Sequence, residues 1–231
     1  MEKLGVIGGM GPEATAYFYE EVIEHTVAAR DQDHIDVVII SQASMPDRTE
    51  AILSGDPSRL LSVMRADAQA LESLGCAHIA IPCNTSHYFY DTIQGFTKVP
   101  IIHMPREAVR EAVERGGVRR IGVMATVGTI KTGVYRKEIE AAGAEQVVPS
   151  EERETDVMSI IYDDVKAGRD VDMHKFDRVM TEFYREGCDA VLLACTELSV
   201  IKRDHDIPDI CIDAMDALVR ESIVRSGAQY R

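Results

Sequence analysis

Gly75-Cys76-Ala77-His78-Ile79-Ala80-Ile81-Pro82-Cys83-Asn84-Thr85 and Gly187-Cys188-Asp189-Ala190-Val191-Leu192-Leu193-Ala194-Cys195-Thr196-Glu197 are two versions of one segment, 112 positions apart. Each sets a glycine and a cysteine before a short apolar run, then a second cysteine followed by small polar residues. A short apolar run with polar flanks reads as a buried strand. Cys83 and Cys195 therefore fall where a strand ends and its loop begins, the edge at which open α/β sheets bind ligands. A chain that carries this device twice is expected to fold as two related halves.

The rest of the pattern agrees. Strands are expected over 4–7, 35–40, 79–82, 100–103, 120–124, 191–194 and 209–212. Helices are expected over 13–29, 57–74, 107–115, 131–142, 157–167, 173–185 and 214–225, with a polar loop over 41–48. The series restarts near residue 118, where Ile121-Gly122-Val123-Met124 repeats Leu4-Gly5-Val6-Ile7, and Pro100-Ile101 and Pro208-Asp209 end the halves alike. Alternating strands and helices imply parallel sheets with right-handed crossovers. The expected fold is α/β: two similar lobes, each a mostly parallel sheet flanked by helices, related by a pseudo-twofold duplication. Residues 1–103 with 212–231 would form the first lobe and 104–211 the second, the last helix returning to the first lobe. Facing each other across a cleft, such lobes would aim Cys83 and Cys195 at one substrate from opposite sides.

A chain of 231 residues accommodates two lobes of that size, and a hydrophobic fraction of 45% supplies a core for each. With no Trp and 6% aromatics, those cores are aliphatic. The formal charge of −14 argues against nucleic acid or an anionic membrane as partner, since both require concentrated positive charge. No apolar run approaches the ~18 residues of a membrane span. Met1-Glu2-Lys3 leads straight into a strand, so no secretory leader is expected. Five cysteines without a C-x-x-C pair fit reduced thiols in the cytoplasm.

Several residues invite both a functional and a plain structural reading. Gly8-Gly9-Met10-Gly11-Pro12-Glu13 is a tight strand-to-helix turn whose exposed N–H groups suit an anion, or which merely turns. It lacks the Lys-Ser/Thr of a Walker loop and the spacing of a dinucleotide fingerprint. Cys76, Cys188 and Cys211 read as core packers. Cys83 and Cys195 read as reactive, with donors at Asn84-Thr85 and Thr196-Glu197 and helices starting just after. A disulfide between them runs against the reducing compartment. Arg48 suits a forked grip on a carboxylate, or a surface pair with Asp47 or Glu50. Lys166 suits an anion, or the end of its helix. Thr126 and Thr129 form a second cradle, an N-cap, or both. His87, four residues past Cys83, suggests a surface or capping role in preference to a Cys–His hydrolase. No cluster has metal-ligand spacing.

Taken together, Gly5-Val6-Ile7-Gly8-Gly9-Met10-Gly11-Pro12-Glu13-Ala14-Thr15, Pro46-Asp47-Arg48-Thr49, Pro82-Cys83-Asn84-Thr85, Ala125-Thr126-Val127-Gly128-Thr129, Val165-Lys166-Ala167-Gly168 and Ala194-Cys195-Thr196-Glu197 resemble the aspartate/glutamate racemase family, in particular its aspartate racemase branch. The resemblance runs nearly the whole chain in the family's order. It implies racemisation without pyridoxal phosphate, metal or other cofactor, with Cys83 and Cys195 as the acid/base pair. It further implies that Met10, Arg48, Asn84, Thr85, Thr126, Lys166, Thr196 and Glu197 line the site of a small acidic amino acid. A homodimer is common in the family. Both cysteines are present here, whereas some relatives carry threonine at one, and this favours two-way conversion.

The expected chemistry interconverts L- and D-aspartate, and glutamate if the cleft volume allows. One thiolate removes the α-proton while the other thiol delivers a proton to the opposite face. Competing readings are a racemase of broad amino acid specificity or for another carbon acid, and a small-anion binding protein without catalysis.

Overall fold

Leu4, Val6 and Ile7 are wholly buried, so the first strand is covered on both faces, as an interior parallel strand must be. The computed structural model describes residues 1–231. Two units emerge, Met1–Met104 with Met215–Arg231, and Pro105–Ala214.

The first unit contains β1 (Leu4–Gly8), α1 (Pro12–His25), β2 (Val37–Ser41), α2 (Arg48–Leu53), α3 (Ser58–Ser73), β3 (His78–Ala80) and α4 (Tyr90–Gln94). Its sheet runs β2-β1-β3, all parallel, and a single parallel bridge from Ile79 to Ile101 adds a vestigial fourth position. After α5 (Met104–Glu114) the second unit continues with β4 (Arg120–Met124), α6 (Val127–Thr132), α7 (Val134–Ala141), β5 (Glu145–Val147), α8 (Glu151–Ser159), a π-helical stretch Ile160–Val165, α9 (Met173–Arg185), β6 (Ala190–Leu193), α10 (Thr196–Asp204) and β7 (Cys211–Asp213). This sheet runs β5-β4-β6-β7, again all parallel. The closing helix α11 (Ala214–Arg225) belongs to the first unit from Met215 on.

Both sheets thus place the first strand of their half between the second and the third. The α/β duplication expected from the cysteine segments is present, and it extends further. Ile101-Ile102-His103 leads into Val109-Arg110-Glu111 as Cys211-Ile212-Asp213 leads into Val219-Arg220-Glu221. Each half therefore ends on the same strand-to-helix device.

Aliphatic packing holds each unit. Met64, Leu71, Ile79 and Ile81 lie in one core, and Ile160, Val191, Leu193 and Leu198 in the other. Gly122 shows why a small residue is needed in β4: an added Cβ would stand 2.8–3.0 Å from the Phe183 ring of α9.

Local departures from the expected elements have physical causes. Gly133, at φ 68°, breaks the helix expected over 131–142 into α6 and α7. The helix expected over 13–29 stops at His25 because Thr26 turns extended and pairs with Tyr230. The helix expected over 157–167 starts earlier, at Glu151, and finishes in the π-helical stretch. β5 escapes the pattern because it is three residues long and only Val147 is buried.

Candidate active site

In a parallel sheet whose first strand is flanked by the second and third, chain connections diverge to opposite faces between strands one and three. A crevice opens there at the carboxyl ends of the strands. In the first unit that edge carries the loop after β1 and the segment after β3. Gly9 takes φ 88°, and its N–H donates to Thr15 Oγ1 at 2.9 Å, while the Thr15 hydroxyl donates to Gly11 O at 3.0 Å. Thr15 therefore fixes the loop that presents Met10. Ser86 Oγ donates to Met10 Sδ at 3.4 Å, and Met10, Met45 and Cys83 share one apolar cluster. Met10, Cys83 and Asn84 are buried, and Thr85, half-buried, opens a short 3₁₀ turn, Thr85–Phe89.

His87 is a correction to the surface role expected of it. It is buried, and Nδ1 donates to the Cys83 carbonyl at 2.9 Å while Nε2 accepts the Met104 N–H at 3.2 Å. Burial lowers its pKa against the pull of the Cys83, Ile102 and Asn84 backbone, so the ring stays neutral. His87 thus caps the start of α5, as its capping alternative anticipated, and clamps the backbone of the Cys83 loop. It engages the carbonyl of Cys83, not its thiol, which removes the dyad a Cys–His hydrolase needs.

Arg48 also differs from the surface pair considered for it. It starts α2 instead of ending a loop, and Asp47 accepts the Glu50 N–H as N-cap. The Arg48 guanidinium donates one bond, from Nη1 to Pro46 O at 3.1 Å, and its Nε is buried without a partner. A half-buried guanidinium that meets no carboxylate of its own chain has donors left for an anion.

In the second unit the equivalent edge carries Thr126 after β4 and Cys195 after β6. Thr126 N-caps α6, its Oγ1 accepting the Thr129 N–H at 3.2 Å and lying 3.1 Å from Thr129 Oγ1. Cys195 is the N-cap of α10, and its Sγ–H donates to Glu197 Oε2 at 2.8 Å. The buried Thr196 hydroxyl approaches the same oxygen at 3.4 Å. Glu197 Oε1 lies 3.5 Å from Lys166 Nζ, and that ammonium sits 4.4 Å above the Tyr162 ring. Lys166 is the C-cap of the π-helical stretch, the helix-end position expected of it, and in addition reaches Glu197.

Partial burial pushes the Cys195 thiol well above the usual thiol range. The Glu197 carboxylate adds to this, while the Glu197 backbone N–H and Lys166 pull the other way. Burial also works against the charge on Lys166, but Glu197, Tyr162 and Cys195 outweigh it and raise its pKa. Cys195 is therefore a thiol here, and Lys166 an ammonium. Of the residues expected to line a site, Met10, Arg48, Cys83, Asn84 and Thr85 lie in the first unit, and Thr126, Lys166, Cys195, Thr196 and Glu197 in the second.

Sequence reasoning overlooked Tyr162 and Ser86. Tyr162 was signalled by its place four residues before Lys166 on a helix. Ser86 carried no signal, because tertiary packing alone sets its contact with Met10.

The Asp/Glu/hydantoin racemase family model matches residues 7–222. A broad specificity amino-acid racemase of Bacillus subtilis is 26% identical over 99% of this chain and 99% of its own. Among solved structures, the Picrophilus torridus aspartate racemase superposes with a TM-score of 0.82 at 28% identity, covering 100% of this chain and 96% of that one. An aspartate racemase homologue from Pyrococcus horikoshii OT3 gives 0.79 at 25% identity, covering 98% of this chain and 100% of that one.

Proposed function

The chain belongs to the Asp/Glu/hydantoin racemase family, and from that premise we propose that it interconverts L- and D-aspartate, with glutamate as a secondary substrate. The proposed reaction needs no pyridoxal phosphate or metal. Cys83 and Cys195 are its two proton-transfer groups and act on the same α-carbon. In one direction a thiolate takes the α-proton and the other thiol supplies one; in the reverse direction the roles exchange. Met10, Asn84, Thr85, Thr126, Thr196 and Glu197 line the substrate in this reading, and Arg48 and Lys166 hold its carboxylates.

The observation that carries the dicarboxylate assignment is Arg48, whose guanidinium has donors to spare and no acidic partner. In an acidic protein such a cation is where an anionic side chain docks most favourably. Positioned acid and base groups each supply roughly 10²–10⁴-fold in rate. Charge developing on the substrate carboxylate as the α-proton leaves is stabilised by the cations and loop N–H groups, the larger share in most such reactions. The reading includes a homodimer in a reducing compartment, where the five free thiols persist.

A second reading, a racemase of broad specificity, has support in the nearly end-to-end similarity to the Bacillus subtilis protein. Incubating the purified protein with single enantiomers of each amino acid, with no cofactor added, and resolving products by chiral chromatography separates the two. Aspartate converting fastest supports the proposal; comparable rates with uncharged side chains support the broad reading. Thermal stabilisation by aspartate without any conversion points to a binding protein and overturns both.

A further inference from the structure

We infer that Glu197 is a positioning residue that holds the Cys195 proton, with Lys166 as the clamp that keeps Glu197 ready to accept it. The chemistry rests on the racemase reading above; the geometry lies wholly within the second unit.

The halves of the chain differ at this point. Where the first cysteine segment has Thr85, the second has Glu197. Both Glu197 oxygens are committed, Oε2 to the Cys195 thiol at 2.8 Å and Oε1 to Lys166 at 3.5 Å. Glu197 is thus the hinge of a thiol–carboxylate–ammonium relay, a task beyond the lining role proposed above.

The other titratable groups around Cys195 leave that relay intact. Tyr162 faces Lys166 from the π-helical stretch. Tyr135 of α7 is buried and its hydroxyl stays neutral, pushed up by burial, Asp213 and Cys195. Asp213, at the end of β7, accepts the Ser199 hydroxyl of α10 at 2.8 Å. With Lys166 beside Oε1, Glu197 keeps Oε2 on Cys195, which rests as thiol.

The proton accounting closes. When Cys195 acts as acid, Cys83, having given its proton to solvent, takes the α-proton as thiolate. The Cys195 S–H bond breaks as the new α-C–H bond forms, the electron pair stays on sulfur, and Cys195 takes a proton back from solvent. When it acts as base, the thiol proton first passes to Glu197 Oε2, and the resulting thiolate accepts the α-proton. Glu197 then returns its proton to solvent, and Cys83, having given one to the substrate, takes one from solvent.

Glu197→Gln keeps an acceptor beside the thiol but removes the charge and the proton-holding capacity. The test combines two measurements. One is site-resolved iodoacetamide alkylation of Cys195 by mass spectrometry at pH 7. The other is the pH profile of aspartate racemisation. In the variant, Cys195 alkylates about tenfold faster, because the thiolate forms more readily. The alkaline limb of racemisation moves to lower pH, kcat at pH 7 falls roughly 10²-fold, and Glu197→Asp recovers part of the loss. A purely structural Glu197 moves neither the alkylation rate nor the limb, and that outcome overturns the inference. A wild-type protein that racemises nothing overturns the functional reading instead, and the alkylation comparison then decides the Cys195–Glu197 couple on its own.

Discussion

Gly9→Ala tests how the active-site loop is built, and its cost can be worked from two sources. The first is conformational: Gly9 has φ 88°, where an L side chain pays ~1–2 kcal/mol. The second is steric. An added Cβ would stand 2.6 Å from Gln42 O, and closer still to the carbonyl carbon and nitrogen of that residue. These are backbone atoms just beyond β2, so relief requires moving the strand end, an overpacking cost of about 1–3 kcal/mol. The sum is roughly 2–5 kcal/mol, and with a urea slope of about 2 kcal/mol/M the midpoint falls by about 1–2.5 M. Gly55→Ala is the matched control, since Gly55 has φ 72° but nothing within 4 Å of the added carbon. It bears the conformational cost alone, ~1–2 kcal/mol. Urea unfolding of both variants by circular dichroism separates the two sources. If Gly9→Ala is no less stable than Gly55→Ala, close approach to Gln42 does not explain the glycine. Gly9→Ala should also lose catalysis, because the loop that presents Met10 is displaced.

Phe183→Ala empties a wholly buried ring site over Gly122 and should cost ~3–5 kcal/mol in urea unfolding. Arg48→Gln should leave the fold intact and lower kcat/KM for aspartate roughly 10- to 100-fold, with neutral amino acids less affected, in a steady-state racemisation assay. Burial lowers the pKa of both His78 and His87, so the folded chain disfavours protons that the unfolded chain accepts near pH 6.5. Their contribution to stability is therefore complete above that pH and lost as pH falls below it. The urea midpoint should drop from pH 7.5 to 5.5, and less steeply in His78→Gln.

The parallel sheets and the places of Cys83 and Cys195 were legible because they depend on short apolar runs and on repetition, both local properties. The Cys83 and Cys195 segments do end buried strands at the carboxyl edge, as their polar tails indicate. The break at Gly133 was less visible, because glycine in a helical pattern is tolerated until a left-handed φ is needed. His87 takes the capping alternative and not the surface one, because its partners, the Cys83 carbonyl and the Met104 N–H, are backbone groups brought to it by folding. Arg48 looked like half of a surface pair because Asp47 and Glu50 are its neighbours in sequence; in the fold Asp47 caps α2 instead. The resemblance offered Glu197 as a lining residue, but its double engagement with Cys195 and Lys166 required two separate segments, the start of α10 and the end of the π-helical stretch, to meet.

Racemisation of pure L- and D-aspartate in deuterated water, by wild type, Cys83→Ala and Cys195→Ala, puts the two-thiol account to its most direct trial. Wild type should yield the mirror-image product carrying deuterium at the α-carbon from either starting enantiomer, and each single variant should yield none. Full two-way conversion by either variant contradicts it, since one of the sulfurs would then be dispensable.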